Sequence, residues 1–96
     1  MFDQRKNQRF ALRLPLQIIR PGLTTPHPVE TRDVSSGGVS FASDMALLPG
    51  EPIEYELTLL ENPNVGRPVR LRCLGKILRS DEGSCAATMD RYEFVR

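Results

Sequence analysis

Two short segments carry the side chains with the greatest chemical capacity. Arg5-Lys6-Asn7-Gln8-Arg9 sets two arginines four residues apart in a polar stretch. Asp33-Val34-Ser35-Ser36-Gly37-Gly38 brings an acid, two hydroxyls and two glycines together. The planar fork of arginine makes paired hydrogen bonds to phosphate oxygens. It also matches O6 and N7 of guanine, where each good pair discriminates by about 1–3 kcal/mol, and its face stacks on bases. An ionised Asp33 only accepts hydrogen bonds, and guanine offers it two adjacent donors, N1–H and N2–H₂. Ser35 can donate to a base or a phosphate, and Gly38 allows a sharp bend and close backbone approach. Singly, each segment also has a plainer reading. Eleven of the 13 basic residues are arginine, and Arg9 and Arg13 repeat the same spacing, so the first segment also fits a solubilising tail. The second also fits an Asx/Ser turn at a strand end. Together they supply groups for both edges of guanine and for phosphate.

Catalytic chemistry finds no comparable set. The single histidine, His27, lies between Pro26 and Pro28 and reads as a solvated loop residue, so a nucleophile–base–acid triad has no base. Glu54 and Glu56 alternate with apolar residues and read as a solvated strand face. No glycine-rich phosphate loop opens a helix. Cys73 and Cys85 with one histidine do not make a zinc site. They read as small buried hydrophobes in a reducing compartment. The expectation is a non-enzyme with neither metal nor cofactor.

The elements that must position these residues show a period of two. Phe10, Leu12, Leu14, Leu16 and Ile18 alternate with Ala11, Arg13, Pro15, Gln17 and Ile19, which predicts a half-buried strand. Pro15 on its outer face cannot donate to a ladder, so an edge or bulge belongs there. Thr24 to Pro28 reads as loop, and a second strand is expected from about Val29 to Val34, broken at Ser35-Ser36-Gly37-Gly38, where two glycines allow positive φ. Val39 and Phe41 begin a third strand. Residues 43–52 form a connection in which Ser43-Asp44 can start a helical turn and Pro49-Gly50 marks a turn. Ile53, Tyr55, Leu57 and Leu59 alternate with Glu54, Glu56 and Thr58 in a fourth strand. Val69, Leu71 and Cys73 begin a fifth that runs past Gly75 to Ile77, with a bulge or bend at the glycine. Asp81-Glu82-Gly83 is a hairpin turn and residues 84–89 a last strand. Six or seven strands with frequent turns and no long helical pattern predict an all-β barrel or sandwich.

Composition sets the outer bounds. Ninety-six residues suit one domain, 40% hydrophobic and 26% charged, with a core from burying roughly 60–70% of the unfolded surface. No run approaches the ~18 apolar residues of a membrane span, and no apolar segment follows Met1-Phe2-Asp3-Gln4-Arg5-Lys6, so the chain reads as cytoplasmic. The net charge of +1 divides into +4 over residues 1–32, −6 over 33–66 and +3 over 67–96. A total so near neutral argues against bulk nucleic-acid binding, while a basic N-terminal segment suits a small anion. Of six aromatics, Phe10, Phe41 and Tyr55 fall at inward strand positions. That disfavours a barrel that stacks single-stranded nucleic acid on surface aromatics.

The pairing of RxxxR, here Arg5 to Arg9, with DxSxxG, here Asp33, Ser35 and Gly38, resembles the PilZ domain family. The stretch Leu71-Arg72-Cys73-Leu74-Gly75-Lys76-Ile77-Leu78-Arg79, followed by a turn and Ser84 to Met89, is similar to the family's final strands, and the likeness extends from about residue 4 to residue 94. The resemblance implies a six-stranded antiparallel β-barrel over residues 10–94, with residues 1–9 as a ligand-binding tail and 1–96 a single domain. A C-terminal helix, common in the family, would be short or absent. The ligand implied is cyclic di-GMP, held by Arg5 and Arg9 from the tail and by Asp33, Ser35 and Gly38 on the barrel, with Gln4, Lys6, Arg32 and Gly37 as secondary positions. The residue before the first arginine, here Gln4, is linked in the family to whether one ligand or a stacked pair binds. The polar tail is expected to be mobile when empty and to order over the ligand, creating a surface for a partner protein or a fused effector domain. The rival within the family is an adaptor that binds no nucleotide and works through protein contacts.

Overall fold

The computed structural model describes residues 9–19, 27–43, 47–59, 69–81 and 83–95. Seven strands are found among them: β1 (Pro15–Ile18), β2 (His27–Ser35), β3 (Gly38–Phe41), β4 (Pro52–Leu59), β5 (Val69–Asp81), β6 (Ser84–Thr88) and β7 (Arg91–Val95). All pairings are antiparallel. The order β4-β1-β2-β3-β6-β5 returns to its start because β4 also pairs with β5 along its whole length, Pro52 opposite Lys76 through Leu59 opposite Val69. That pairing closes a six-stranded barrel, and closure removes the sheet edges an open sheet would leave. The described residues contain no helix.

The alternation seen in the sequence fills the barrel. Leu16, Ile18, Val39, Phe41, Ile53, Tyr55, Leu57, Cys73, Ile77, Cys85 and Ala87 are buried within one cluster. Both cysteines are buried free thiols, as expected of small core hydrophobes. Burial pushes the Cys73 thiol up to about 11, so it stays protonated and unreactive at neutral pH. Tyr55, fully buried, keeps its phenol satisfied by donating to the Thr88 carbonyl oxygen at 3.0 Å.

Three expectations need correction. The first strand does not run from Phe10 to Ile18. It begins at Pro15, and Phe10 and Leu12 are 52% and 45% exposed rather than inward. β2 carries a bulge between Thr31 and Asp33, so a chain running beside it loses its register there. Thr31 fills the break, its hydroxyl accepting from Leu14 N–H at 2.8 Å and donating to the Leu12 carbonyl at 2.6 Å. Beyond it, Phe10 makes a single two-way bridge to Val34. Second, His27 is not in a loop but opens β2 opposite Ile18. Third, residues 84–89 are not the end of the strands. After Met89 and Asp90 the chain resumes as β7 along the other side of β5 from β4, with Arg91 opposite Leu74 and Val95 opposite Arg70.

The glycines also act otherwise than expected. Positive φ occurs at Gly50, in the predicted Pro49-Gly50 turn, and at Gly83, in the β5–β6 hairpin, not at Gly37 or Gly38. Gly38 is needed for closeness: a Cβ there would lie 2.3 Å from the Ala87 carbonyl oxygen. Gly75 plays the same part against Thr88, where a Cβ would come within 1.9 Å of the carbonyl oxygen. The irregularity in β5 falls at Leu78, between Ile77 and Arg79, rather than at Gly75.

Candidate functional site

The β2–β3 hairpin builds one wall of the site. Ser35 lies opposite Gly38 across a two-residue turn, Ser36-Gly37. The Ser35 hydroxyl accepts from Gly37 N–H at 3.2 Å and donates to the Gly38 carbonyl at 3.4 Å, so this side chain shapes the turn. Gly38 sits directly against β6 because it has no Cβ. The bulge in β5 supplies the facing wall by turning Leu78 outward, where it is 55% exposed. Arg9, Ser35, Gly37, Gly38, Leu78 and Ala87 together line an open pocket of about 230 Å³.

Arg9 is delivered to this pocket by the Phe10–Val34 bridge, which lays the segment before β1 alongside β2. Its Nη1 donates to Asp33 Oδ1, and Ser40, opposite Asp33 in β3, donates from its hydroxyl to Oδ2 at 2.9 Å. Both carboxylate oxygens of Asp33 are therefore engaged, one by a movable arginine and one by the barrel. Partial burial by itself would raise the Asp33 carboxyl. The Ser40 hydroxyl, the Arg9 guanidinium and the more distant charge of Arg79 outweigh it and hold the carboxyl below its ordinary value. The group is thus a carboxylate at neutral pH, restricted to accepting.

The predicted positions divide into three groups. Arg9, Ser35, Gly37 and Gly38 share the pocket, and Asp33 borders it through Arg9. Arg5, Gln4 and Lys6 lie outside the described residues. Arg32 points elsewhere: its Nη1 donates to Ser84 Oγ at 3.4 Å, and it lines a separate pocket with Arg13, Glu30 and Thr31. Arg32 is the extra residue of the bulge, unpaired between Thr31 and Asp33, so the strand alternation does not set its direction.

Three contributors were missed. Leu78 was signalled by its place in the alternation, an apolar side chain directly after the inward Ile77. Ser40, as the brace of Asp33, and Arg79, as a further positive charge near it, had no signal in the sequence, because both depend on pairing register.

A second charged cluster lies on the outer face of β4 and β5. Glu56, expected to be solvated, is only 9% exposed. Arg70 Nη1 reaches its Oε1 at 3.3 Å and Arg72 Nη2 its Oε2 at 3.8 Å, while Arg72 Nε approaches Glu54 at 3.6 Å. The register sets Arg72 directly opposite Glu56 and Arg70 beside it, so the arginine stems cover the acid. No group of three or more His, Cys, Asp or Glu among the described residues could hold a metal ion. No helix among them is long and apolar enough to cross a membrane.

Comparison with solved structures gives the same architecture. The structure of Bacillus subtilis inhibitor of motility (MotI/DgrA) superposes with a TM-score of 0.77 at 15% identity, covering 96% of this chain and 45% of the MotI chain. This chain therefore spans less than half the length of that protein. The PilZ domain of CeSA from a cellulose-synthesizing bacterium gives a TM-score of 0.62 at 15% identity, covering 88% of this chain and 81% of the other. No curated protein matches at the level of sequence. The PilZ domain family model matches residues 3–91, nearly the whole barrel and both arms of the candidate site. The chain belongs to the PilZ domain family, whose members bind cyclic di-GMP or act as adaptors on partner proteins.

Proposed function

We propose that this chain is a cyclic di-GMP sensor whose pocket is the one between the β2–β3 hairpin and Leu78. The observation that carries the reading is the convergence of Arg9, Asp33, Ser35 and Gly38 on one small surface, although 24 residues of chain separate the first two. The pocket's volume of about 230 Å³ falls below the roughly 300–1,000 Å³ that encloses a drug-sized ligand. It suits one base set against Leu78, with the phosphates outside and within reach of arginine. Arg9 supplies the fork for phosphate or the O6/N7 edge, and Asp33 takes N1–H and N2–H₂. The Arg9–Asp33 pair is exposed enough, 49% and 31% at the side chains, that its direct contact is worth at most about 1 kcal/mol. Exchanging it for ligand contacts is inexpensive. Arg5 completes the grip from the tail, and the ordered tail presents a new surface to a partner protein or attached domain.

Isothermal titration of cyclic di-GMP into the full chain tests this, beside the double variant Arg5→Ala/Arg9→Ala. Binding by the native chain, weakened by about a hundredfold or more in the variant, supports a sensor and reports the stoichiometry. No binding by the native chain removes the sensor reading and leaves the adaptor.

A further inference from the structure

β7 stands apart from the closed barrel. Among the described residues its ladder is with β5 alone, so no described strand pairs with its other side, and such an edge is the usual template for adding a strand. Residues directly opposite in a ladder share a face. Tyr92, opposite Cys73, and Phe94, opposite Leu71, therefore continue the apolar inner face of the barrel beyond its closure, yet they are 61% and 65% exposed. Arg91, opposite Leu74, and Glu93, opposite Arg72, lie on the other face.

The charge pattern selects the occupant. When two copies of β7 pair antiparallel about a two-fold axis at Tyr92, Arg91 of each meets Glu93 of the other. A symmetric contact repeats every pair, so this register forms two opposite-charge pairs. The two tyrosines meet at the axis, with the phenylalanines at the diagonal positions of the same face. Moving the axis by one residue to Glu93 sets that glutamate against its own copy, and like charges directly opposite are destabilising. We infer that β7 is a self-complementary edge through which two copies of this chain associate, with Tyr92 at the two-fold axis. The edge begins beside the candidate ligand pocket, since Met89 N–H donates to the Gly37 carbonyl at 3.0 Å. The inference does not require a nucleotide.

Sedimentation equilibrium of the full chain over a concentration series tests it. The native chain is expected to show a monomer–dimer equilibrium. Arg91→Glu and Glu93→Arg singly turn both attractive pairs into repulsive ones and are each expected to weaken the dimer by about tenfold or more. The double variant Arg91→Glu/Glu93→Arg recreates the pairs in reverse and is expected to recover the native dimer constant. That recovery separates pairing from misfolding, because it carries both changes at once. A native chain that stays monomeric, or a dimer that neither single reversal weakens, overturns the inference. So does a double variant that is no tighter than the singles.

Discussion

Among the described residues there are two arginine–carboxylate clusters, and they differ in nearly everything except their chemistry. On the β4–β5 wall, Arg70 and Arg72 close over Glu54 and Glu56 at positions set by an unbroken eight-pair register. Glu56 is almost fully covered and answered from two sides. At the β2–β3 hairpin, Arg9 reaches Asp33 from a segment outside the strands, tied to β2 by the Phe10–Val34 bridge and by the Thr31 hydroxyl, with a glycine-walled pocket alongside. The first cluster cannot change partners without disturbing a ladder. The second can, because Arg9 belongs to no strand and Asp33 is more exposed than Glu56. An ion pair points to a binding site when one partner is free to leave and there is space for a ligand to take its place.

The largest effect is expected where site and scaffold meet. Gly38→Ala puts a Cβ against the Ala87 carbonyl oxygen, and backbone on both strands must shift. A loss of about 2–3 kcal/mol of stability should appear as a lower midpoint in urea, together with lost cyclic di-GMP binding. An unchanged midpoint would mean the hairpin yields easily and is not a rigid wall.

The comparison itself is tested by removing one member from each cluster. Asp33→Ala should weaken cyclic di-GMP by about 1–3 kcal/mol and weaken adenine analogues far less, as read by titration calorimetry. Equal losses for both nucleotides would show that the acid does not read the base. Arg72→Ala should leave nucleotide affinity unchanged and cost less than about 1 kcal/mol of stability, since Arg70 still answers Glu56. A binding defect from Arg72→Ala would erase the distinction between the two regions.

The smallest effect is in acid. The folded Asp33 carboxyl titrates below its ordinary value, so its ionised form stabilises the fold at neutral pH. That contribution is lost as pH falls through the lowered value, when the proton removes the acceptor for Arg9 and Ser40. Urea midpoints measured down the acid range should therefore fall more steeply for the native chain than for Asp33→Asn. Parallel curves would place the titration elsewhere.

Much of the barrel was legible because its signals are local. Period-two alternation marked Ile53 to Leu59 and Val69 to Ile77 correctly, and Pro49-Gly50 and Asp81-Glu82-Gly83 punctuated them. β7 is equally legible, since Arg91-Tyr92-Glu93-Phe94-Val95 alternates polar with apolar or aromatic residues in the same way. The stretch from Phe10 to Leu14 misled, since its alternation is as regular as that of a strand. What overrides it is the bulge in β2, some 20 residues along the chain.

The candidate site shows the same division. Residue types alone nominated Arg9, Asp33, Ser35 and Gly38, because paired hydrogen-bonding to guanine and phosphate needs those groups. They could not reveal that Ser40 braces the acid or that Arg32 reaches Ser84 instead of the pocket.

The sequence by itself determined that this is an all-β chain with a buried alternating core, and that it carries the two segments through which it resembles the PilZ family. These follow from side-chain type and from the strand's two-residue period, which need no knowledge of partners. Only the tertiary structure decided that β4 closes on β5, that β7 adds to β5 on the side away from β4, that Glu56 is buried, and that Arg9 meets Asp33. Each depends on which strands pair and in what register, and a bulge of one residue reverses the face of every side chain beyond it.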